Sequence, residues 1–148
     1  MKFKEPSFSI KLLPDISAID WQKIMTLRSE VFVGEQKCIY TDPDSEDASA
    51  FHTYAVDKTE LIGYARFFKK KRWHLGRIVV DQKHRGHGFS KQLIEASIKY
   101  IQSSDANFQL EISAQVYLSD FYTSLNFMPI GSMYLEDGIP HLRMILNH

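Results

Sequence analysis

The chain has a single cysteine, Cys38, in 148 residues. A lone thiol excludes an internal disulfide and favours a reducing, cytoplasmic setting. There is no run of about 18 apolar residues, so no helix is expected to span a membrane. Met1-Lys2-Phe3-Lys4-Glu5-Pro6 lacks the apolar stretch of a signal peptide. Net charge is also missing: 18 Lys and Arg balance 18 Asp and Glu, which argues against nucleic acid as the main partner. No internal repeat or low-complexity segment stands out. What remains is 44% apolar and 24% charged, with ten Phe, seven Tyr and two Trp. That is the composition of a soluble globular protein, and the length suits one domain, residues 1–148.

The zero net charge conceals a local concentration. Lys83, His84, Arg85, His87 and Lys91 cluster around Gly86 and Gly88, where an apolar strand ending at Val80 turns into a helix starting near Phe89. Glycine at these positions lets a ligand approach the backbone closely. The first amides of a helix have no partner inside it, and with the helix dipole they favour an anion. The turn therefore reads as a phosphate cradle. It lacks the four-residue gap and Gly-Lys-Ser/Thr of a nucleotide P-loop. It also lacks the third glycine of the dinucleotide fingerprint. The alternative is a glycine-tolerant turn with no ligand.

Periodicity gives the surrounding order. Phe8 to Leu12 alternates as a strand, and Ser17 with Asp20 starts a helix that should run to about Val33 and stop at Gly34. Thr41 to Ser49 is an acidic loop. Thr53 to Val56 and Leu61 to Phe68 form a hairpin, Trp73 to Val80 the next strand, and Phe89 to about Gln102 a helix. A strand from Phe108 to Ala114, a short helix from Leu118 to Leu125, and strands from Phe127 to Met133 and His141 to Leu146 complete it. Interleaved helices and strands imply a mixed sheet with helices on its faces.

Other chemistry is weaker. Asp42-x-Asp44-x-Glu46 hints at a calcium loop, but Asp47 stands where glycine is needed and no Glu occupies the twelfth position. His84 and His87 lack a third metal ligand at useful spacing. The Lys69 to Arg72 run reads as a solvated hairpin turn rather than a nucleic-acid contact. Nothing local pairs Cys38 with a base.

Three sets of residues carry a family resemblance. Lys83-x-x-Gly86-x-Gly88 resembles the pyrophosphate motif Gln/Arg-x-x-Gly-x-Gly/Ala of the GNAT acetyltransferase superfamily. Phe121-Tyr122-x-x-x-Asn126-Phe127 is similar to its Phe/Leu-Tyr-x-x-x-Gly-Phe segment, with Asn126, which tolerates positive φ, in place of glycine. Val31-Phe32-Val33-Gly34-Glu35-Gln36, Cys38-x-Tyr40-x-Asp42-x-Asp44-x-x-Asp47, His52, Gly76 to Val80, Ala114-Gln115 and Tyr134 to Met144 resemble the ElaA-like branch. Gly34, Ile39, Asp42 and Ser45 depart from its usual residues, and Ser90 stands where many members have a third glycine.

The resemblance implies an α/β GNAT fold: a mixed, mostly antiparallel twisted sheet of about six to seven strands with helices on both faces. It implies that the strands before the cradle and at Phe108 to Ala114 splay apart around pantetheine. It implies an N-acetyltransferase with acetyl-CoA as co-substrate and no metal, moving an acetyl group directly to a primary amine of a small molecule or peptide. Ile78, Val79, Val80, Arg85, Gly86, His87, Gly88, Phe89, Ser90 and Gln115 would contact the coenzyme. Tyr122 would protonate the thiolate, the alternative being a packed core tyrosine. Glu35 and His141, with Asp47 and Glu111, are candidate bases. Glu35, Tyr40 and Asp47 would border the acceptor, and the expectation is that Glu35, Asp47 and His141 share one cavity with a negative field for a cationic amine. Neither nucleic acid nor membrane is an expected partner, and pairing of relatives through edge strands admits a homodimer. The reading from another class is a non-catalytic acyl-CoA-binding module, which needs neither Tyr122 nor a base.

Overall fold

The computed structural model describes residues 5–38 and 41–148. Seven strands form one sheet in the order β1-β2-β3-β4-β5-β7-β6. They are β1 Ser7–Leu12, β2 Phe51–Asp57, β3 Glu60–Lys69, β4 Trp73–Val80, β5 Gln109–Gln115, β6 Met128–Glu136 and β7 Ile139–Asn147. Among the described residues only β4 and β5 pair in parallel; every other neighbour is antiparallel. The helices are α1 Ala18–Arg28, α2 Phe89–Ser104 and α3 Ser119–Ser124.

The two faces carry separate cores. Leu93, Ile94 and Ile101 of α2 pack with Ala65, Phe67, Leu110 and Met144, and Tyr122 of α3 joins that cluster. Ile24 and Leu27 of α1 pack with Tyr54, Tyr64 and Val79 on the other face. The alternation of β3, with Tyr64 to one side and Ala65 to the other, produces this division. Gly63 sets how closely α2 sits: a Cβ there would meet Leu93 Cδ1 at 2.8 Å and Val79 O at 2.9 Å. No helix of the described residues is long and apolar enough to cross a membrane.

The first helix differs from its expected form. Ser17 caps it as anticipated, its side chain accepting from the Asp20 amide at 3.1 Å. The α-helix ends at Arg28, however, and the chain continues as a π-helix over Ser29–Glu35. Val31, Val33 and Gly34 are poor α-helix formers, and wider turns of this kind recur at functional sites. Asn126 has φ +70°, the conformation its place in a glycine position calls for.

The feature that creates a site is a failure of pairing. β4 and β5 are in register only from Trp73↔Leu110 to Leu75↔Ile112. Immediately afterwards β4 bulges: Tyr64 faces Val79 and Arg66 faces Gly76, so Arg77 and Ile78 together oppose Ala65. Arg77 takes φ +50° there. A bulge bends and twists its strand, and here the sheet opens beyond it, as the family resemblance implies.

Candidate active site

Two adjoining features occupy the opening. The first is the turn after β4, a concavity of about 150 Å³ lined by Val80, Arg85, Gly86, Gly88, Phe89 and Ser90 among others. Gly86 and Gly88 have φ +81° and +80°, and a Cβ at either would meet nothing within 4 Å. Both the left-handed backbone and the open space fit close approach of a ligand. Gly88 caps α2 without a side-chain hydrogen bond, and the first amide bonded back within the helix is that of Gln92, to Gly88 O at 3.2 Å. The amides of Phe89, Ser90 and Lys91 thus remain as donors for an anion.

Arg85 is partly committed elsewhere. Its Nε donates to Val80 O at 3.0 Å, and its two terminal nitrogens donate to both oxygens of Glu35 at 2.9 Å each. Val79 is buried against α1, which leaves its backbone as the part available to a coenzyme. His87 lies beside Phe89.

The second feature is a cavity of about 450 Å³ between the splayed strands. Ile78 of β4, Gln115 of β5, Tyr122 of α3 and His141 of β7 all line it, with Phe32, Gln36 and Cys38 from the segment after α1. Tyr122 is buried, and burial, with a smaller effect of Tyr117, pushes its phenol up to about 12. It therefore stays protonated through the ordinary pH range, as a proton donor must. His141 is 7% exposed. Its Nδ1 lies 2.7 Å from Ile139 O, and because a carbonyl only accepts, Nδ1 carries the hydrogen. Nε2 is the nitrogen left for proton exchange, and it faces Glu136 Oε2 at 3.2 Å. Glu136 also accepts from Ser113 Oγ at 2.9 Å, and Ser113 bonds Tyr134, whose ring stacks on His141.

Glu136 and Asp137, both lining the cavity, are residues that sequence reasoning passed over. A signal for them existed. Asp137-Gly138, with φ +50° and +74°, is a two-residue hairpin turn. Such a turn fixes Glu136 opposite Ile139 and Tyr134 opposite His141.

Several expectations need correction. Glu35 does not line the cavity; it is held by Arg85. Asp47 is not there either. It is buried and bonded to Arg28 Nη1 at 2.8 Å and Arg66 Nη1 at 2.9 Å. Asp42 and Asp44 belong to the same network, Asp42 with Arg28 and Arg77, Asp44 with Arg66 and Arg77. Three arginines from α1, β3 and β4 thus compensate three aspartates of the acidic segment. A field from these acids therefore does not reach an acceptor as expected, because burying them requires pairing. Glu111 pairs with Arg143 at 2.7 Å and Arg72 at 3.3 Å, where β4 and β5 are still joined. The basic turn is likewise engaged, Lys69 with Asp105 and Lys70 with Glu46. Tyr40 lies outside the described residues.

The network makes stability acid-sensitive. His52 presents Nε2 to Asp47 O at 2.9 Å and Nδ1 to the Tyr64 hydroxyl at 2.6 Å, so the neutral ring donates to the carbonyl and accepts from the phenol. Burial lowers its pKa below the ordinary 6.5. Burial pulls Asp47 upward, but Arg28 and Arg66 outweigh it and leave it below the ordinary 3.8. Both groups are depressed in the folded state, so the unfolded chain binds more protons as pH falls. Their contribution is fully present above the unfolded values and is lost as pH falls through the folded ones. Urea midpoints should begin to fall below about pH 6.5 and steepen below about pH 4. A midpoint flat from neutrality to pH 4 would contradict the neutral role of His52.

Residues 22–148 match the acetyltransferase (GNAT) domain. The chain belongs to the GNAT acetyltransferase superfamily. It is 34% identical over 146 residues to a UPF0039 protein of Synechocystis, covering 95% of each chain. It is 32% identical over 136 residues to protein ElaA of Escherichia coli K12, covering 88% of this chain and 89% of that one. These place it in the ElaA-like branch. The crystal structure of E. coli ElaA superposes with a TM-score of 0.89 at 28% identity, covering 95% of this chain and 99% of that one. That of an acyl-CoA N-acyltransferase from Pseudomonas aeruginosa does so at 0.90 and 29%, with the same coverage. The seven-stranded mixed sheet is the GNAT fold.

Proposed function

We propose that this protein is an acetyl-CoA-dependent N-acetyltransferase that acts on a primary amine by direct transfer in a ternary complex. The observation that carries the reading is that the Tyr122 cavity sits at the β4 bulge and the cradle follows at the end of the same strand. The open Gly86 and Gly88 and the uncapped amides of α2 suit a pyrophosphate, and Gln115 and the Ile78 to Val80 backbone suit the arm that follows. Bound there, acetyl-CoA supplies the activated acyl group.

The chain's own residues then have separable tasks. A free alkylamine has a pKa near 10.4, so only about one molecule in two thousand is neutral at pH 7. His141 Nε2 receives the proton that the amine must lose. A backbone amide in Ile78 to Val80 stabilises charge on the carbonyl oxygen as the carbon–nitrogen bond forms. As the carbon–sulfur bond breaks, Tyr122 gives its phenolic proton to the sulfur. Arg85 and Glu35 hold the π-helix against the cradle, and a coenzyme phosphate competes with Glu35 for the guanidinium. The lone unpaired thiol suits a cytoplasmic enzyme.

The test is mass spectrometry with acetyl-CoA and a panel of polyamines, amino sugars and peptides, alongside calorimetry with coenzyme A. The expected result is an acetylated product formed one for one with free coenzyme thiol. Tight coenzyme binding with no transfer to any amine would instead indicate a binding module, and no coenzyme binding would sink both readings.

A further inference from the structure

The carboxylates around the opening divide into two kinds. Glu35 is engaged by Arg85, Asp42, Asp44 and Asp47 by Arg28, Arg66 and Arg77, and Glu111 by Arg143. Glu136 and Asp137 are different. Among the described residues neither forms an ion pair with a lysine or arginine, and both line the cavity that holds Tyr122 and His141. Arg77 lines it too, but its guanidinium is turned to Asp42 and Asp44. The negative charge left in the cavity is therefore that of the β6–β7 turn.

Cys38 lines the same cavity as Glu136 and Asp137. It comes from the segment after α1, far from the turn in sequence. Burial raises its thiol, Asp137 and Glu136 raise it further, and Arg77 acts in the opposite sense. Arg85 and Lys91 line the cradle at the other end of the opening. The opening thus offers helix amides where an anionic coenzyme would bind and carboxylates where an acceptor would enter, within a chain of zero net charge.

We propose that the acceptor is a dibasic amine, with one amino group presented to His141 and Tyr122 and a second ammonium held by Glu136 and Asp137. This rests on the transferase reading and narrows its substrate class. A monoamine gives up its only charge when it reacts and leaves Glu136 and Asp137 with no ammonium to hold. A second ammonium keeps that charge throughout, so its attraction persists from binding to bond formation.

Calorimetry on the coenzyme A complex separates the proposal from the chemistry. Putrescine and cadaverine are titrated against butylamine and pentylamine, their matched monoamines. The diamines should bind about tenfold or more tightly, since a charge-assisted hydrogen bond is stronger than a neutral one. The preference should shrink as salt is raised. Asp137→Asn should reduce the ratio towards unity; asparagine tolerates the positive φ at this turn, so the hairpin is kept. Glu136→Gln should do the same. Coenzyme affinity reports that each variant is folded. Equal binding of the matched pairs, or a preference that survives in both variants, overturns the proposal. Lysinamide against its Nα-acetyl form tests whether a peptide's paired amines serve in place of a free diamine. A binding preference without acetyl transfer would sink the transferase reading and keep the subsite; transfer without preference would do the reverse.

Discussion

Gly86→Glu is expected to abolish coenzyme A binding. Gly86 has φ +81° and open space where a Cβ would stand. A side chain meets no protein atom there, so what it obstructs is the ligand. Glutamate adds a negative charge beside helix amides that are proposed to receive phosphate. It also forces a left-handed backbone on an L-residue, at about 1–2 kcal/mol. Gly86→Ala separates these causes, because it keeps the strain and omits the charge. Its affinity should fall far less than that of the glutamate variant. Calorimetry with coenzyme A decides the matter: a folded Gly86→Glu protein that binds with native affinity would rule the cradle out.

Tyr122→Phe should lower kcat by about 10²- to 10⁴-fold, the range for loss of a general acid. Coenzyme affinity should change little, since the ring and its contacts with Phe121 and Phe127 are retained. The pH profile adds an independent check. With the phenol pushed up to about 12 by burial, any loss of rate between neutrality and about pH 10 must come from another group. An unchanged turnover, under conditions where chemistry limits the rate, would reduce Tyr122 to a packing residue.

The glycine turn after β4 was legible because it depends on local chain properties, whereas the splay of β4 from β5 followed only from the family resemblance. Two glycines at a strand-to-helix turn announce positive φ, and the apolar periodicities on either side announce the elements. The acceptor side was less legible for a physical reason. Asp42, Asp44 and Asp47 look like a solvated acidic loop when read in isolation. Their partners Arg28, Arg66 and Arg77 lie on three separate elements, and only the folded sheet brings them together. Nor does a carboxylate's type reveal whether an arginine will meet it, so Glu35 and Asp47 do not differ in sequence from carboxylates that line the cavity. The π-helix has no signature in the sequence, because its apolar spacing through Val31 and Phe32 suits an α-helix equally well.

The β6–β7 hairpin has one further consequence. β6 is the outermost strand, and Met128, Met133 and Leu135 on it are exposed. Its turn lies at the edge of the sheet, whereas the cradle leads into α2, which packs on β3. On the proposed reading, acceptor choice and coenzyme choice are written in different stretches of chain. Point changes in the hairpin would then trade one amine for another while the donor half stays as it is.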